Sequence, residues 1–414
     1  MSMHKTDVCI LGAGPGGAAT ALRLSYLGIP CVLLDKATFP RDKICGDAIS
    51  AKVTTLLNRM DPAMMERFHD LGRQVDVWGI RFVAPNRKAL DLPFEPNYVR
   101  EEKSAPGYVA KRVDFDNFLI NEVKRRSDIT FKEGVEVRDF QRNAEGYLLT
   151  DMAGDLQVQC KLLVDASGAH SPFSRRHAGL TVESSHHAGA LRAYYRGVKN
   201  MPTDNFIELR FLKELTPGYF WVFPLPNGEA NVGLGMRTDV MKRKKINLRE
   251  TMERVIREHP DIAPRFKDAE RIGSVQGYGL PLGSKKRPLS GDHYMLVGDA
   301  AHLVDPLTGE GIGNAFYSGV IAAEQAEKCL LANDFSATFL KDHDVRVQRV
   351  LGEEMRLTYQ LQQMARYPWI VNVIANIISS NKKVIDYLSA MYSDFSLREQ
   401  LVKPWFWVKM MLRR

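Results

Sequence analysis

The chain has 414 residues, of which 45% are hydrophobic and 26% are charged, and its formal net charge is +8. This composition is typical of a globular protein with a large core, and it excludes a disordered chain and a repeat solenoid. Five scattered cysteines with no CxxC pair exclude a disulfide scaffold or a structural zinc site, and they favour a reducing compartment.

The N-terminus carries no sign of export. The opening MSMHKTD leads directly into an apolar stretch, without the apolar region and cleavage site of a signal peptide. The late uncharged run at 367–381 is shorter than the roughly 20 residues that cross a bilayer. We therefore expect a cytoplasmic protein.

The positive charge is concentrated at 242–245, at 285–287 and at the end of the chain. We interpret the first two clusters as solvated surface and expect no nucleic-acid partner, because no base-reading module accompanies them. The terminal KPWFWVKMMLRR mixes aromatic and basic residues, as does a helix on an anionic membrane surface. It predicts either peripheral contact with the inner face of the membrane or a last helix packed on the core.

The first predicted elements form a βαβ unit. A short buried strand at 7–11 is followed by the glycine-rich GAGPGG at 12–17 and by an Ala/Leu-rich helix to Leu27. A second apolar strand at 31–34 ends in Asp35. This order of strand, glycines, helix, strand and acid predicts a dinucleotide-binding site.

Each part of this motif has a physical role. Gly12 allows the tight turn, Gly14 lets the backbone approach a pyrophosphate, and Gly17 lets the helix pack closely on the strand. The helix N-terminus then faces the phosphates, and Asp35 can accept hydrogen bonds from a ribose diol.

The next unusual segment is PRDKICGD at 40–47, in which Cys45 lies close to Lys43 and beside Gly46. A thiol near a cation can have a lowered pKa and take part in chemistry. Apolar burial is nevertheless the commonest state of a free cysteine. Both roles remain open for Cys45.

Four later segments carry further signals. The apolar spacing after Lys111 predicts a helix with Asp114 as its N-cap. Buried strands at 162–165 and 294–297 end in the small-residue turns DASG and GDAA, and the loop DPLTGEGIGN at 305–314 precedes another helix.

Between these strands, a strand-rich region at roughly 179–273 predicts an antiparallel sheet. Its segment YFWVFP alternates in a way that places Tyr219, Trp221 and Phe223 on one strand face, which suits a wall beside an apolar chain. Beyond Asp334 the pattern is mostly helical. We expect this last region to close one end of a substrate tunnel.

Together these segments resemble the geranylgeranyl reductase family of flavoproteins, within the p-hydroxybenzoate hydroxylase-like superfamily, over roughly residues 7–324. The resemblance implies an α/β fold: a Rossmann-type FAD-binding domain (1–78, 106–178 and 272–330), an inserted antiparallel β-sheet substrate domain (79–105 and 179–271) and a helical C-terminal region (331–414).

The resemblance also implies FAD as the cofactor. The residues it assigns to FAD are Gly12, Gly14, Gly16, Gly17, Asp35, Lys36, Lys43, Cys45, Gly46, Arg112, Asp165, Gly168, Asp299, Gly309, Gly311 and Ile312. Asp299 would bind the ribityl or phosphate region. The loop at 309–314 would lie under the pyrimidine edge, where backbone N–H groups at a helix N-terminus stabilise the negative charge of reduced flavin.

The segment Tyr219-x-Trp221-x-Phe223-Pro224 resembles the substrate-pocket signature of these reductases, and all four residues are implied in substrate binding. Flavin-dependent halogenases carry Trp-x-Trp-x-Ile-Pro here, so Tyr219 and Phe223 disfavour halogenation. The reductases often place a lysine after the proline, whereas this chain has Leu225.

The implied activity is reduction of carbon–carbon double bonds in a polyprenyl or other long apolar substrate, with Cys45 as the catalytic candidate near the reacting carbon. The electron donor is NAD(P)H, ferredoxin or a quinol. His302 would support the flavin, and no metal is expected because His186 and His187 lack partners at ligand spacing.

Two rival functions share much of this sequence evidence. One is an FAD-dependent monooxygenase of the same fold acting on an aromatic or polyketide substrate. The other is a membrane-surface electron-transfer flavoprotein, although the chain has no iron–sulfur cysteine cluster.

Overall fold

The computed structural model describes residues 2–96, 98–100, 104–379, 384–385, 389, 401, 403 and 405–407. Its strands are, in chain order, β1 (Ser2–Leu11), β2 (Cys31–Leu34), β3 (Ala48–Ile49), β4 (Gln74–Val77), β5 (Gly79–Val83), β6 (Ala89–Pro93), β7 (Gly107–Ala110), β8 (Ile129–Lys132), β9 (Val137–Asn143), β10 (Gly146–Asp151), β11 (Leu156–Asp165), β12 (His187–Arg196), β13 (Ile207–Arg210), β14 (Tyr219–Pro224), β15 (Glu229–Arg237), β16 (Glu270–Pro281), β17 (Ser290–Gly291) and β18 (Tyr294–Leu296). Its α-helices are α1 (Pro15–Tyr26), α2 (Ala51–Met60), α3 (Pro62–Asp70), α4 (Arg112–Lys124), α5 (Pro172–Arg176), α6 (Thr238–Lys244), α7 (Leu248–Glu258), α8 (Ala263–Phe266), α9 (Ile312–Ala332), α10 (Ala337–Val347), α11 (Glu353–Met364) and α12 (Pro368–Ser379).

The first sheet has the strand order β17-β18-β11-β1-β2-β8, and its central pairs are parallel. Alternate residues of β1 enter different cores: Val8 and Ile10 pack on one side, and Cys9 and Leu11 on the other. A strand buried on both faces must be apolar throughout, as this one is from Val8 onward. The predicted strand at 7–11 is therefore the inner half of a longer one.

The helices α1 and α9 pack closely on one face of this sheet. A Cβ at Gly319 would lie 2.4 Å from the carbonyl oxygen of Gly16, so the two backbones approach each other at a glycine. The Thr20 hydroxyl spans the contact by donating to the Gly16 and Gly319 carbonyls at 2.8 and 3.1 Å. This contact holds α9, and the loop before it, against the glycine-rich turn.

The second sheet has the order β16-β12-β15-β14-β13-β5-β6 and is antiparallel except for the β13–β5 pair. Helices α6 to α8 cover one of its faces, where Phe220 and Val222 are buried. Strand β16 pairs with β12 as far as Pro281. The second sheet therefore extends beyond the predicted boundary at 271, because β16 continues its pairing through that point.

Two local predictions concern helix α4 and the region after Asp334. Helix α4 begins at Arg112 with Lys111 as its N-cap, so the prediction of Asp114 as the cap is wrong. The Asp114 carboxylate instead accepts a hydrogen bond from Arg73 at 2.7 Å. In the described ranges after Asp334, the chain is mainly helical, and no helix there or elsewhere in the described residues is long and apolar enough to span a bilayer.

Candidate active site

A cavity of about 490 Å³ lies where the first sheet, the three-stranded sheet β3-β7-β4 and the aromatic face of β14 meet. Eleven of the predicted site residues line this cavity: Lys43, Cys45, Gly46, Arg112, Tyr219, Trp221, Phe223, Asp299, Gly309, Gly311 and Ile312. They come from segments far apart in the sequence. The fold therefore brings the predicted flavin and substrate residues to one place.

The glycine-rich turn has the geometry of a phosphate cradle. Gly12 has a φ of +88°, and a Cβ there would lie 2.5 Å from the Ala166 carbonyl oxygen. A Cβ at Gly17 would lie 1.8 Å from the Gly12 oxygen, whereas at Gly14 the nearest atom is an Arg41 nitrogen at 3.7 Å. The protein's own packing requires glycine at positions 12 and 17, whereas Gly14 faces open space at the N-terminus of α1. This arrangement fits a bound dinucleotide.

We expect Gly14→Ala to leave the fold intact and to weaken FAD binding by about tenfold or more, a free-energy change of about 1.4 kcal/mol. The reason is that the new methyl group would occupy the space into which a pyrophosphate must come. The measurement is titration of apoprotein with FAD, followed by flavin fluorescence. Gly28→Ala, at the other end of α1, is the control: Gly28 has a φ of +72° and no atom within 4 Å of an added Cβ, so stability falls but affinity does not. Unchanged affinity in Gly14→Ala would contradict the assignment.

The acids of the two βα turns lie behind this cradle. Asp35 is buried and accepts hydrogen bonds from Ala13 N and Ala37 N at 2.6 and 2.8 Å. Each carboxylate oxygen keeps a second lone pair, so a ribose hydroxyl can still bind. The neighbouring Lys36 is exposed, and Gly16 contacts α9 through Ala315.

The DASG turn is held by its own aspartate. Asp165 is fully buried, and its carboxylate accepts hydrogen bonds from Ser167 and Ser171. Burial raises its pKa, although these hydrogen bonds act in the opposite direction. Its carboxylate therefore shapes the turn, where Gly168 takes a φ of +88° and where Ala166 and Ser167 contact Gly12.

The loop before α9 contacts Asp299, which pairs with Lys43, and it also contacts the aromatic strand β14. Lys43 Nζ lies 3.2 Å from Asp299 Oδ2, and burial would lower the pKa of Lys43, but Asp299 reverses this and raises it. A Cβ at Gly311 would lie 3.3 Å from Asp299 Oδ1. The Tyr219 hydroxyl donates to the Thr308 carbonyl. The loop thus joins the predicted flavin side of the cavity to the predicted substrate side.

A buried ion pair stands behind Cys45. Arg112 binds Asp116 through two hydrogen bonds of 2.7 Å, and Arg41 donates to the same carboxylate at 2.6 Å. Arg112 and Asp116 are both almost completely buried. Burial opposes the charge on Arg112, but Asp116 outweighs it and raises the Arg112 pKa. The Cys45 thiol therefore lies near a permanent positive charge.

Asn231 makes three hydrogen bonds in the site, and no sequence motif indicates this role. Its fully buried amide donates to the Cys45 carbonyl at 2.7 Å and to Asp47 Oδ2 at 2.8 Å, and it accepts from Trp221 Nε1 at 2.9 Å. One side chain therefore connects the Cys45 loop to the aromatic strand. An isolated asparagine within an apolar strand shows no motif, so only the fold reveals this role.

Asp47 is the second residue that sequence reasoning missed. Its φ is +69°, its side chain is fully buried, and Tyr194 donates to Oδ2 at 2.9 Å while Oδ1 has no partner. Burial, opposed by the bonds from Asn231 and Tyr194, raises the pKa of Asp47 to about 6. Asp47, which lines the cavity, therefore changes its charge near pH 6.

The aromatic strand forms the opposite wall. The Tyr219 and Trp221 ring centroids are 6.1 Å apart, and those of Trp221 and Phe223 are 6.2 Å apart. Phe223 also contacts the Cys45 loop, since a Cβ at Gly46 would lie 3.2 Å from its ring. Pro224 is buried and does not line the cavity. The predicted apolar wall thus consists of the three aromatic rings.

The histidines lie elsewhere. His302 lines a second cavity, not the one at Cys45, and its backbone is left-handed (φ 55°). Its support of the flavin stays a prediction. His186 and His187 bind Ser284 and Thr238, each at 2.8 Å. Among the described residues, no group of three or more His, Cys, Asp or Glu side chains is arranged to hold a metal ion.

Comparison with known proteins agrees with this architecture. A family model described as FAD binding domain matches residues 5–317. The digeranylgeranylglycerophospholipid reductase of Thermoplasma volcanium is 29% identical over 354 residues, which cover 84% of each chain. The menaquinone reductase of Mycolicibacterium smegmatis is 28% identical over 352 residues, covering 83% of this chain and 82% of the relative.

Two solved structures show the same fold. A geranylgeranyl bacteriochlorophyll reductase-like protein from Thermoplasma acidophilum superposes with a TM-score of 0.79 at 22% identity, covering 97% of this chain and 99% of the other. A triple mutant of a flavin-dependent brominase superposes with a TM-score of 0.74 at 22% identity, covering 99% and 100%. The predicted α/β fold class is confirmed.

Proposed function

The chain belongs to the FAD-binding domain family, and on that premise we propose that it reduces carbon–carbon double bonds of a polyprenyl or other long apolar substrate. It is an FAD-dependent oxidoreductase, and the predicted resemblance to geranylgeranyl reductases is confirmed. The relatives that are named as reductases of digeranylgeranylglycerophospholipid and of menaquinone support a lipid substrate.

The observation that carries the proposal is the composition of the cavity. Its lining is mostly apolar away from the cradle, and it continues from the aromatic wall past Ile80, Phe82 and Leu92. Lys43 and Arg112 are two of its cationic side chains and lie next to Cys45; Arg192 and Arg237 also line the cavity. An elongated apolar chain lying along the aromatic wall would bring one of its double bonds to the polar end.

The residues that would hold FAD are the glycines of the cradle, Asp35, the loop at 309–312, and Lys43 with Asp299. When bound, the reduced cofactor supplies the hydride. An unactivated alkene also needs a proton at its other carbon. We assign that proton to the Cys45 thiol, which lines the cavity together with Lys43 and Arg112.

The electron donor and the membrane contact are further parts of the proposal. NAD(P)H, ferredoxin and a quinol remain the candidate donors. At the C-terminus, Trp405 is 55% exposed, while Phe406 and Trp407 are buried against Ala84 and Leu90. Two of the three described aromatics thus pack on the second sheet, which leaves Trp405 as the residue that would enter a membrane surface. The terminal residues 408–414 lie outside the described residues.

The test is an anaerobic turnover experiment. The purified protein is reduced with dithionite, excess reductant is removed, and geranylgeranyl diphosphate or digeranylgeranylglycerophospholipid is added. We expect the oxidised flavin spectrum to return while the product gains pairs of hydrogens by mass spectrometry. Reoxidation only when air enters, together with an oxygenated aromatic product, would instead support the monooxygenase. Reoxidation by a quinone with an unchanged prenyl chain would support electron transfer.

Cys45→Ala tests the proton assignment in the same assay. We expect FAD to stay bound and the rate of flavin reoxidation to fall by about 100-fold, within the usual range for loss of a general acid. Cys329→Ala removes a fully buried thiol outside the cavity and should leave the rate unchanged. Equal rates for both variants would show that Cys45 only packs against the cofactor.

A further inference from the structure

A second cavity, of about 250 Å³, lies behind the active-site cavity. It is enclosed by the loop at 283–289, the turn at 301–303, and the end of α10 with the start of α11. The loop carries the basic cluster at 285–287, whose sequence predicts solvated surface.

The charged side chains that line this cavity are all positive. Four cationic side chains line it, and its described lining includes no carboxylate; the cations are Lys285, Lys286, Arg287 and Arg356. Gln348 and Tyr359 add neutral hydrogen-bonding groups. The arrangement therefore has many donors and a concentrated positive charge.

Arg287 is only partly paired within the protein: its Nη1 donates to the Lys285 carbonyl at 2.9 Å, but its other terminal nitrogen, Nη2, is not hydrogen-bonded to the described residues. Its side chain is only 7% exposed. The nearest carboxylate, Glu183, is 3.6 Å away and already accepts from Lys285 at 2.8 and 3.1 Å. Burial lowers the pKa of Arg287, and Glu183 offsets this only in part. A buried guanidinium with an unused donor is costly unless an anion joins it.

His302 lies in the same wall and is affected by the same charge. Burial first, and then the positive charge of Arg287, lower its pKa to about 4. The imidazole is therefore neutral at pH 7. It provides a neutral donor or acceptor beside the cations instead of adding to their repulsion.

The two cavities are separate. The wall between them includes the bridge from Leu282 to Val304 and one turn of α11. On that helix Thr358 lines the active-site cavity, while Met355 and Tyr359 line the second one. A group bound in the second cavity would thus lie on the opposite side of this wall from the active-site cavity.

We propose that this second cavity binds a phosphate or diphosphate group, with Arg287 as the principal ligand and Lys286 and Arg356 at its sides. A guanidinium donates hydrogen bonds to phosphate oxygens, and Nη2 of Arg287 has N–H groups that are not yet hydrogen-bonded. The volume is below the roughly 300 Å³ of the smallest ligand pockets, so it fits a phosphate group rather than a whole dinucleotide. The phosphate is either a free anion or one end of a nucleotide whose remainder lies outside. This site does not depend on the proposed substrate.

The experiment is calorimetric titration of the FAD-loaded protein with inorganic phosphate and inorganic pyrophosphate at low ionic strength. We expect pyrophosphate to bind at one site per chain and at least tenfold more weakly to Arg287→Met and to Lys286→Met. Lys267→Met, which removes an exposed lysine of the second sheet's helical cover, is the control and should bind as the wild type does. Lys286→Met keeps the test valid if Arg287→Met is unstable, because Lys286 is not buried.

Competition then separates the two sources of phosphate. Displacement of pyrophosphate by NADP⁺ but not by NAD⁺ would identify the 2′-phosphate of a nucleotide as the ligand, and displacement by neither would identify a free anion. Either result supports the site. No pyrophosphate binding at millimolar concentration, or equal binding by the wild type, Arg287→Met and Lys286→Met, would overturn it.

Discussion

Replacing Asn231 by leucine is expected to lower the free energy of unfolding by at least about 3 kcal/mol, because it leaves three partners without their hydrogen bonds at about 1–3 kcal/mol each. The partners are the Cys45 carbonyl, the Asp47 carboxyl and the Trp221 indole. Chemical unfolding followed by tryptophan fluorescence measures the loss. Asn143→Leu removes an exposed asparagine that also makes side-chain hydrogen bonds, and it should cost less than about 1 kcal/mol.

The same variant should change the pH dependence of stability. The folded pKa of Asp47, about 6, is above its ordinary value of 3.8. Stability from this group is therefore fully present below pH 3.8 and is lost as the pH rises through about 6. The bond from Asn231 lowers this pKa, so its removal raises the pKa further. We expect the pH-dependent loss to move to higher pH in Asn231→Leu and to disappear when Asp47→Asn is added.

The asparagine also has a role that stability alone does not measure. Since it holds the Cys45 loop against Trp221, its loss should lower kcat in the reductase assay even in protein that remains folded and retains FAD. A variant that is destabilised but turns over at the wild-type rate would show that Asn231 supports the fold without positioning Cys45.

Local patterns predicted what they physically determine. Because side chains alternate between the two faces of a strand, Val8 and Ile10 enter one core and Cys9 enters the other. The same alternation puts Tyr219 and Trp221 on one face. These features depend on neighbours in the sequence. They are therefore readable before the fold is known.

Features that depend on distant partners were not predictable in this way. Asn231 acts on residues 184 and 186 positions away. Asp114 does not cap α4, and its carboxylate accepts a hydrogen bond from Arg73, which lies in the loop between α3 and β4. The basic loop at 285–287 has the composition of ordinary surface, and its sequence does not show that the Arg287 side chain is buried. Such roles arise from tertiary packing, and only the fold displays them.

Replacing Arg112 by leucine is expected to lower the free energy of unfolding by a similar amount, because the buried Asp116 carboxylate loses its main ion-pair partner. Loss of one partner of a buried ion pair costs about 3–5 kcal/mol, and since Arg41 still donates at 2.6 Å we expect about 3 kcal/mol. Arg73→Leu, which breaks an exposed pair of 2.7 Å with Asp114, is the matched control and should cost at most about 1 kcal/mol. Unfolding midpoints of the two variants measure the difference.

The acid dependence gives a second readout for Arg112. Burial raises the pKa of Asp116, but Arg112 first, and then Arg41 and Lys43, outweigh it and hold this pKa below its ordinary value of 3.8. The pair therefore stabilises the fold above pH 3.8, and that contribution is lost as the pH falls through the lowered pKa. In Arg112→Leu the pKa of Asp116 rises, so the variant should lose stability at a higher pH than the wild type does on acidification.

The double variant Arg112→Leu/Asp116→Leu separates structural support from cofactor contact. Because both charges are removed together, most of the lost stability should return, as an apolar pair can replace a buried ion pair at little cost. If Arg112 contacts FAD as predicted, the double variant will be folded and yet release its flavin more readily than the wild type on dilution. Wild-type flavin retention in this stable protein would instead restrict Arg112 to holding α4 and Asp116 behind Cys45.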